Sequence, residues 1–317
     1  MRERKLGVAT RDAYGKVLVE LGKANPNIVV LDGDLSKSTK TELFGKAFPD
    51  RFFNVGIAEA NLVGIASGLA ISGKIPFVSS FACFVICKGY DQLRMSVAFP
   101  EVNVKVVASH GGISVGEDGA SQQSIEDISL TTSLPHFVVL IPADEIATRA
   151  LIPQVAEHKG PVFVRTCRPK APIIYDNGAR FEIGKGNKLR EGKDVTLFAI
   201  GLLVFEALVA SDLLAERGID ATVIDLHTVK PIDRDLVRAE AQKTGAIVTC
   251  EEHQIYGGLG SAVSEVVAEE CPVPMEFIAV RDTYAESGTA EELLDRYRLT
   301  APHIAKAAER VIQRKKR

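Results

Sequence analysis

Apolar residues gather in short runs along this chain, and between the runs they recur at helical spacing. The runs NIVVLD (27–32), FFNV (52–55), IPFVSSFA (75–82), VNVKVVAS (102–109), FVVLIPA (137–143) and PVFVRT (161–166) are rich in β-branched residues. Each predicts a strand buried on both faces. Helical stretches lie between them, for example at 11–24 and 145–158. Strands alternating with helices predict a parallel sheet covered on both sides. A polar, Gly- and Lys-rich stretch, DNGARFEIGKGNKLREGKD (176–194), then breaks the pattern and reads as a linker with room for one hairpin. The alternation restarts with strands at 194–201, 221–231, 246–252 and 275–282, and helices at 204–217 and 260–270. The expected fold is α/β in two domains. A doubly wound, mostly parallel-sheet domain spans 1–175, a linker 176–193, and a smaller α/β domain 194–317.

A length of 317 residues fits two domains, and 46% hydrophobic residues supply their cores. The net charge of −3, with signs mixed, offers no footprint for nucleic acid. The basic end, Arg314-Lys315-Lys316-Arg317, reads as a solvated tail. No apolar run approaches the roughly 18 residues of a membrane span, and the start has no signal core, so a cytoplasmic protein is expected. The five cysteines, Cys83, Cys87, Cys167, Cys250 and Cys271, show no metal spacing and read as small buried hydrophobes in a reducing compartment.

One acid stands out. In FFNVGIAEANLVGIASGLA (52–70), Glu59 sits where a strand-like run meets an Ala/Gly-rich helix. One reading is a surface acid on a first helical turn, where the macrodipole favours it. The other is a desolvated carboxyl that shares a proton with a ligand nitrogen. The stripe Ala60, Gly64, Ser67 and Gly68 would let another backbone approach closely. A second constellation is HGGISVGEDGASQQSIED (110–127), a glycine-rich loop leaving a strand end with His110, Asp118, Ser121, Gln122 and Gln123. In open parallel sheets ligands bind beyond the carboxyl ends of strands; a glycine-rich turn with solvated acids fits the same residues. Arg11, the DLSKS segment (34–38), Arg165 and Arg168 belong to similar loop positions. Arginines there can fork onto a phosphate, or be ordinary surface residues. In EEHQIYGGLGSA (251–262), glycines precede a helix start, which suits either an anion or a purely structural contact.

Together these motifs resemble the C-terminal half of transketolase, its pyrimidine-binding domain followed by its C-terminal domain. The likeness runs from VATRDAYGKVL to the end. Its most specific segments are LDGDLSKST, FFNVGIAEANLVGIASGLA, SSFACFVICKGYDQLRMS, SHGGISVGEDGASQQSIED, FVRTCRPKAPIIY, TVKPID and EEHQIYGGLGSA. The resemblance implies thiamine diphosphate as cofactor. Glu59 matches the glutamate that hydrogen-bonds a ring nitrogen of the aminopyrimidine. Phe81 and Phe84 match the aromatic residues that pack on that ring, and Asp34 a residue lying near the cofactor. Arg11, Ser38, His110 and Arg168 match residues that hold the phosphate of the sugar substrate. Asp118 matches the aspartate that contacts the hydroxyl next to the reacting carbon. Gln122 stands where some transketolases carry histidine and others glutamine, and is expected to assist proton transfer or to hydrogen-bond substrate oxygens.

Full-length transketolases also carry an N-terminal domain whose GDG motif and downstream Asn bind Mg²⁺ and the diphosphate. Here Gly33-Asp34 is followed by Leu35. The resemblance therefore implies the C-terminal subunit of a split transketolase of the pentose phosphate pathway. Such a subunit would be inactive alone and would self-associate. An N-terminal partner subunit would bring Mg²⁺ or Ca²⁺, and a two-carbon ketol unit would pass from a ketose phosphate to an aldose phosphate. 1-Deoxyxylulose-5-phosphate synthase and the beta subunit of 2-oxo acid dehydrogenases share these domains, but GEDGASQQ and RTCRP favour transketolase. A non-catalytic homologue would keep the fold without the chemistry; Glu59, Phe81, His110, Asp118 and Arg168 occurring together argue against it.

Overall fold

The structure, a computed structural model, describes residues 3–315. The runs of the first half form β1 (Ile28–Asp32), β2 (Phe52–Asn54), β3 (Ile75–Ser79), β4 (Lys105–Ala108), β5 (Val138–Leu140) and β6 (Val162–Arg165). Every position of β1, β4, β5 and β6 is buried, as continuous apolar runs require. The second half adds β7 (Asn187–Arg190), β8 (Val195–Ala199), β9 (Ala221–Asp225), β10 (Thr228–Lys230), β11 (Ile247–Gln254) and β12 (Met275–Val280). Two sheets result, ordered β10-β5-β6-β4-β3-β1-β2 and β12-β11-β8-β9-β7. The fold is α/β with two mostly parallel sheets; β10 and β7 are the antiparallel exceptions.

Three expectations need correction. The stretch 176–193 is more than a linker, because β7 closes the edge of the second sheet against β9. An edge strand whose packing contribution is Leu189 carries too little periodicity to be read as one. The strand expected at 221–231 is two strands. The chain leaves the second sheet after Asp225, and β10 crosses to pair antiparallel with β5 of the first. Lys230 fixes that crossing, its Nζ donating to the carbonyls of Thr132 (2.8 Å) and Leu134 (2.6 Å). Finally, the basic end is not all solvated tail. Arg314 and Lys315 complete the helix Ala301–Lys315, where Arg314 pairs with Glu276 at 3.0 Å and Lys315 donates to the Thr244 carbonyl. Lys316 and Arg317 lie outside the described residues. Among the described residues no helix is long and apolar enough to cross a membrane.

A buried ionic cluster joins the two halves beside the strand ends. Arg165, 4% exposed, places its Nε 3.5 Å from Asp127 and donates from Nη2 to the Glu252 carbonyl at 2.8 Å. The Glu252 carboxylate accepts from the backbone N–H and the hydroxyl of Ser114, each at 3.1 Å. Gly111 and Gly112 are dictated by this packing. A Cβ on Gly111 would lie 1.9 Å from Arg165 Nε, and one on Gly112 2.3 Å from Glu252 Cδ. Arg165 is thus used internally and does not face a phosphate. The helix start after the 257–260 glycines is likewise filled from within, since Glu251 accepts from the N–H groups of Leu259 (2.8 Å) and Gly260 (2.9 Å). Removing the guanidinium would strand Asp127 and Glu252 in the interior. Arg165→Leu is expected to lower stability by about 3–5 kcal/mol in urea unfolding; an unchanged midpoint would contradict this role.

Candidate active site

The parallel strands of the first sheet send their carboxyl ends to one edge, where the loops after β1, β2, β3, β4 and β6 carry the candidate residues. Glu59 opens the helix Glu59–Ile71, after a turn in which Gly56 takes φ +73°. It is 3% exposed, so the surface-acid reading fails. Its Oε2 lies 3.8 Å from Lys88 Nζ, while its Oε1 is buried without a hydrogen-bond partner. A buried carboxylate oxygen left unmatched is costly; Asp127 and Asp225 carry such oxygens too, and Glu59 differs from them in standing at the strand ends beside the aromatic residues described next.

The neighbouring helix Ala82–Gln92 supplies the aromatic wall. An isolated bridge extends the β3–β4 pairing to Phe81 and Ser109, and the Ala82 N–H donates to the Ser109 carbonyl at 2.7 Å. That extension sets Phe81 beside His110, with ring centroids 3.7 Å apart, and Phe84 stacks on Phe81 at 5.5 Å. Lys88, one turn beyond Phe84, lies 4.5 Å over its ring. The reading from sequence missed Lys88, although its four-residue spacing from Phe84 was the available signal.

His110 adopts φ +61°, uncommon for a residue with a side chain. Arg11 Nη1 donates to its Nε2 at 3.2 Å, which leaves Nδ1–H to donate to Ser109 Oγ at 2.8 Å. The ring is therefore neutral. Its pKa is pushed down to about 3, first by burial and then by the positive charges of Arg11 and Arg168. Arg11 Nη1 also donates to the Ser38 carbonyl at 3.1 Å, so Ser38 meets Arg11 through its backbone. Arg168 belongs to the same field. It donates to the Val115 carbonyl and to Glu117 at 2.7 Å, and lies 3.9 Å from Asp118.

The remaining candidates are tied locally. Gln122 accepts a hydrogen bond from the Ser121 hydroxyl through its side chain and one from the Cys83 thiol, at 3.3 Å, through its carbonyl. Asp34, at φ +67°, accepts from Asn54 at 2.8 Å. The residue that shapes this loop is Asp32, which went unnoticed in the sequence. It is fully buried and accepts from Leu35 N–H (2.6 Å), Thr39 Oγ1 (2.7 Å) and Thr41 Oγ1 (2.8 Å). A strand-final Asp followed by Thr residues was its signal. Two further expectations change. Ser67 is buried and donates to the Ser96 carbonyl at 2.7 Å, so it is not on the open stripe; nothing stands within 4 Å of a Cβ added at Gly64 or Gly68. Of the cysteines, Cys87 is exposed and Cys271 half-buried.

Two aromatic faces beside an unpaired buried carboxylate oxygen fit a flat heterocycle with a basic ring nitrogen, as an aminopyrimidine has. Among the described residues no group of three or more His, Cys, Asp or Glu is set to hold a metal ion. Residues 7–173 match the family described as "Transketolase, pyrimidine binding domain", and residues 184–304 match "Transketolase, C-terminal domain".

The chain belongs to the transketolase family.

It comprises the transketolase pyrimidine-binding domain followed by the C-terminal domain. It is 48% identical to a putative transketolase C-terminal section of Methanocaldococcus jannaschii, covering 93% of this chain and 94% of that one. It is 43% identical to a 6-deoxy-6-sulfo-D-fructose transketolase subunit of a Clostridium species, covering 96% and 95%. Human transketolase is 40% identical over 96% of this chain, which spans about half (49%) of the human protein. A solved structure described as "Split gene transketolase, inactive beta4 tetramer" superposes with a TM-score of 0.91 at 50% identity, covering 97% of this chain and 99% of that one.

The His110 assignment is open to titration. Its ring resonances in NMR are expected to stay flat between about pH 8 and 5, well clear of an ordinary histidine midpoint near 6.5. Arg11→Met, which removes a nearby positive charge, is expected to raise the midpoint. A wild-type midpoint near 6.5, unmoved by that substitution, would contradict the geometry.

Proposed function

We propose that this chain is the C-terminal subunit of a split transketolase. It holds the aminopyrimidine end of thiamine diphosphate. With an N-terminal partner subunit, it transfers a two-carbon ketol unit from a ketose phosphate to an aldose phosphate. The observation that carries this reading is the buried, unpartnered Oε1 of Glu59 beside Phe81 and Phe84. Relatives that match along nearly their whole length, one described as a C-terminal section and one as a split-gene tetramer that is inactive, support the division into subunits, self-association and inactivity alone. In this reading the partner brings the diphosphate grip and the Mg²⁺ or Ca²⁺.

When bound, thiamine diphosphate supplies a carbon nucleophile that breaks and forms a carbon–carbon bond beside a carbonyl. The chain's own residues prepare the site. Glu59 would turn its unpartnered Oε1 to a ring nitrogen of the aminopyrimidine, in surroundings dry enough for a proton to be shared between the two. Phe81 and Phe84 pack against the ring and exclude water, and Asp34 lies toward the cofactor. Arg11, neutral His110 and Arg168 receive the anionic end of the sugar, with Ser38 steadying Arg11 through its carbonyl. Arg168 is preorganised by Glu117 and Asp118, so an incoming phosphate competes with carboxylates already in place. Asp118 contacts the hydroxyl next to the reacting carbon, and Gln122 assists proton transfer or binds substrate oxygens.

A second reading keeps the chemistry and changes the anion. One relative is named for a sulfosugar, and a cationic set such as Arg11 and Arg168 suits a sulfonate as well as a phosphate. Phosphate is preferred here because the doubly charged group gains more from two guanidinium groups. The proposal is tested at Glu59. In the assembled enzyme, Glu59→Gln is expected to lower kcat by about 10²–10⁴-fold with the fold intact. Near-normal turnover would remove Glu59 from the proton-sharing role.

A further inference from the structure

Ion pairing is extensive on this surface: Arg4, Arg149, Arg190, Arg217, Arg234, Arg238, Arg296 and Arg314 each have a carboxylate partner. One cleft on the C-terminal domain departs from that pattern. Its volume is about 430 Å³, and its lining includes Arg281, Tyr297, Arg298, His303, Lys306 and Arg310. The size falls within the range of small-molecule sites.

The cations reach this cleft for reasons of local structure. His303, Lys306 and Arg310 are spaced three and four apart on the helix Ala301–Lys315, which places them along one face. Arg281 follows β12, and Arg298 sits in the turn before the helix at φ +61°, a backbone conformation that arginine seldom takes. Among the described residues neither Arg298 nor Lys306 has a carboxylate partner, and Arg281 donates to the Phe277 carbonyl alone. Of the lining cations, Arg310 alone among the described residues has a carboxylate partner, Glu276, which it shares with Arg314; Glu286 pairs with Arg296. His303 engages Thr300 through Nδ1 at 2.9 Å, which leaves Nε2 free for another group. The charges of Arg281, Arg298 and Lys306, none of them matched by a carboxylate among the described residues, repel one another, and an anion lying between them relieves that repulsion.

We infer that this cleft is a binding site for a small organic phosphate. Arg281 and Arg298 offer guanidinium forks that match phosphate oxygens, Lys306 and Arg310 add charge, and Tyr297 gives the rest of the molecule a flat surface. A nucleoside diphosphate and a sugar bisphosphate share this chemistry.

The test is calorimetric titration of the full chain with inorganic pyrophosphate, then with ADP and fructose 1,6-bisphosphate. Pyrophosphate is expected to bind, and the double variant Arg298→Gln/Lys306→Gln to bind it at least about tenfold more weakly. Both replaced side chains are exposed, so the variant is expected to keep the wild-type melting temperature. Arg168→Ala, which alters the strand-end anion set, is expected to leave this binding in place. Tighter binding of ADP or of the sugar bisphosphate identifies the source of the phosphate. Three results overturn the inference: unchanged pyrophosphate affinity in the double variant, binding abolished by Arg168→Ala alone, or binding of neither organic phosphate.

Discussion

A charge taken out of water has to be matched, and this chain meets that requirement in two opposite ways. Arg165 and Glu252 meet it within the molecule, in a buried cluster that reaches from one sheet to the other and in which the Asp127 carboxylate is matched by the Arg165 charge at 3.5 Å without a hydrogen bond of its own. Glu59 meets it only in part. One carboxylate oxygen has Lys88 at 3.8 Å, and the other has nothing. Isolated burial of that kind costs on the order of 1–3 kcal/mol for the unmatched group. In the function proposed above, that unmatched oxygen is what a group arriving from outside would satisfy, and the ion cluster close by holds the adjoining loops.

The two arrangements depend on each other mechanically. Arg165 ends β6 and fills the space above Gly111 and Gly112, the residues that follow His110. His110 is thereby held in its left-handed conformation, stacked on Phe81 and bonded to Arg11. The cationic and aromatic parts of the site are thus one connected structure, running from Ser38 through Arg11, His110, Phe81 and Phe84 to Lys88 and Glu59. The second domain contributes without lining that path. Its Glu252 braces Ser114, and its strand β10 finishes the first sheet.

Much of this was legible in the sequence. The parallel strands announced themselves as continuous apolar runs, because both faces of such strands are covered. Glu59 was conspicuous because an acid between apolar elements is rare. What the sequence concealed were features set by pairing across long separations. β7 and β10 are short, and their place comes from β9 and β5 rather than from their own composition. Arg165 and Arg168 lie three residues apart and look alike, yet one is sealed inside the fold and the other faces the strand ends. Periodicity cannot separate them; the packing of Gly111 and Gly112 does. Asp32 and Lys88 were overlooked because each acts through a partner whose position depends on the folded chain.

The central claim is that the site held by this chain is completed by a second polypeptide and a thiamine cofactor. The most direct measurement is ketol transfer from xylulose 5-phosphate to ribose 5-phosphate, with thiamine diphosphate and Mg²⁺ present. It would be made with the purified chain alone and then with a chain carrying the diphosphate-binding domain. The account predicts no transfer by the chain alone and transfer in the mixture, with the two chains eluting together in size-exclusion chromatography. Transfer by the chain alone, or a co-eluting complex that turns over pyruvate but no ketose phosphate, would contradict it.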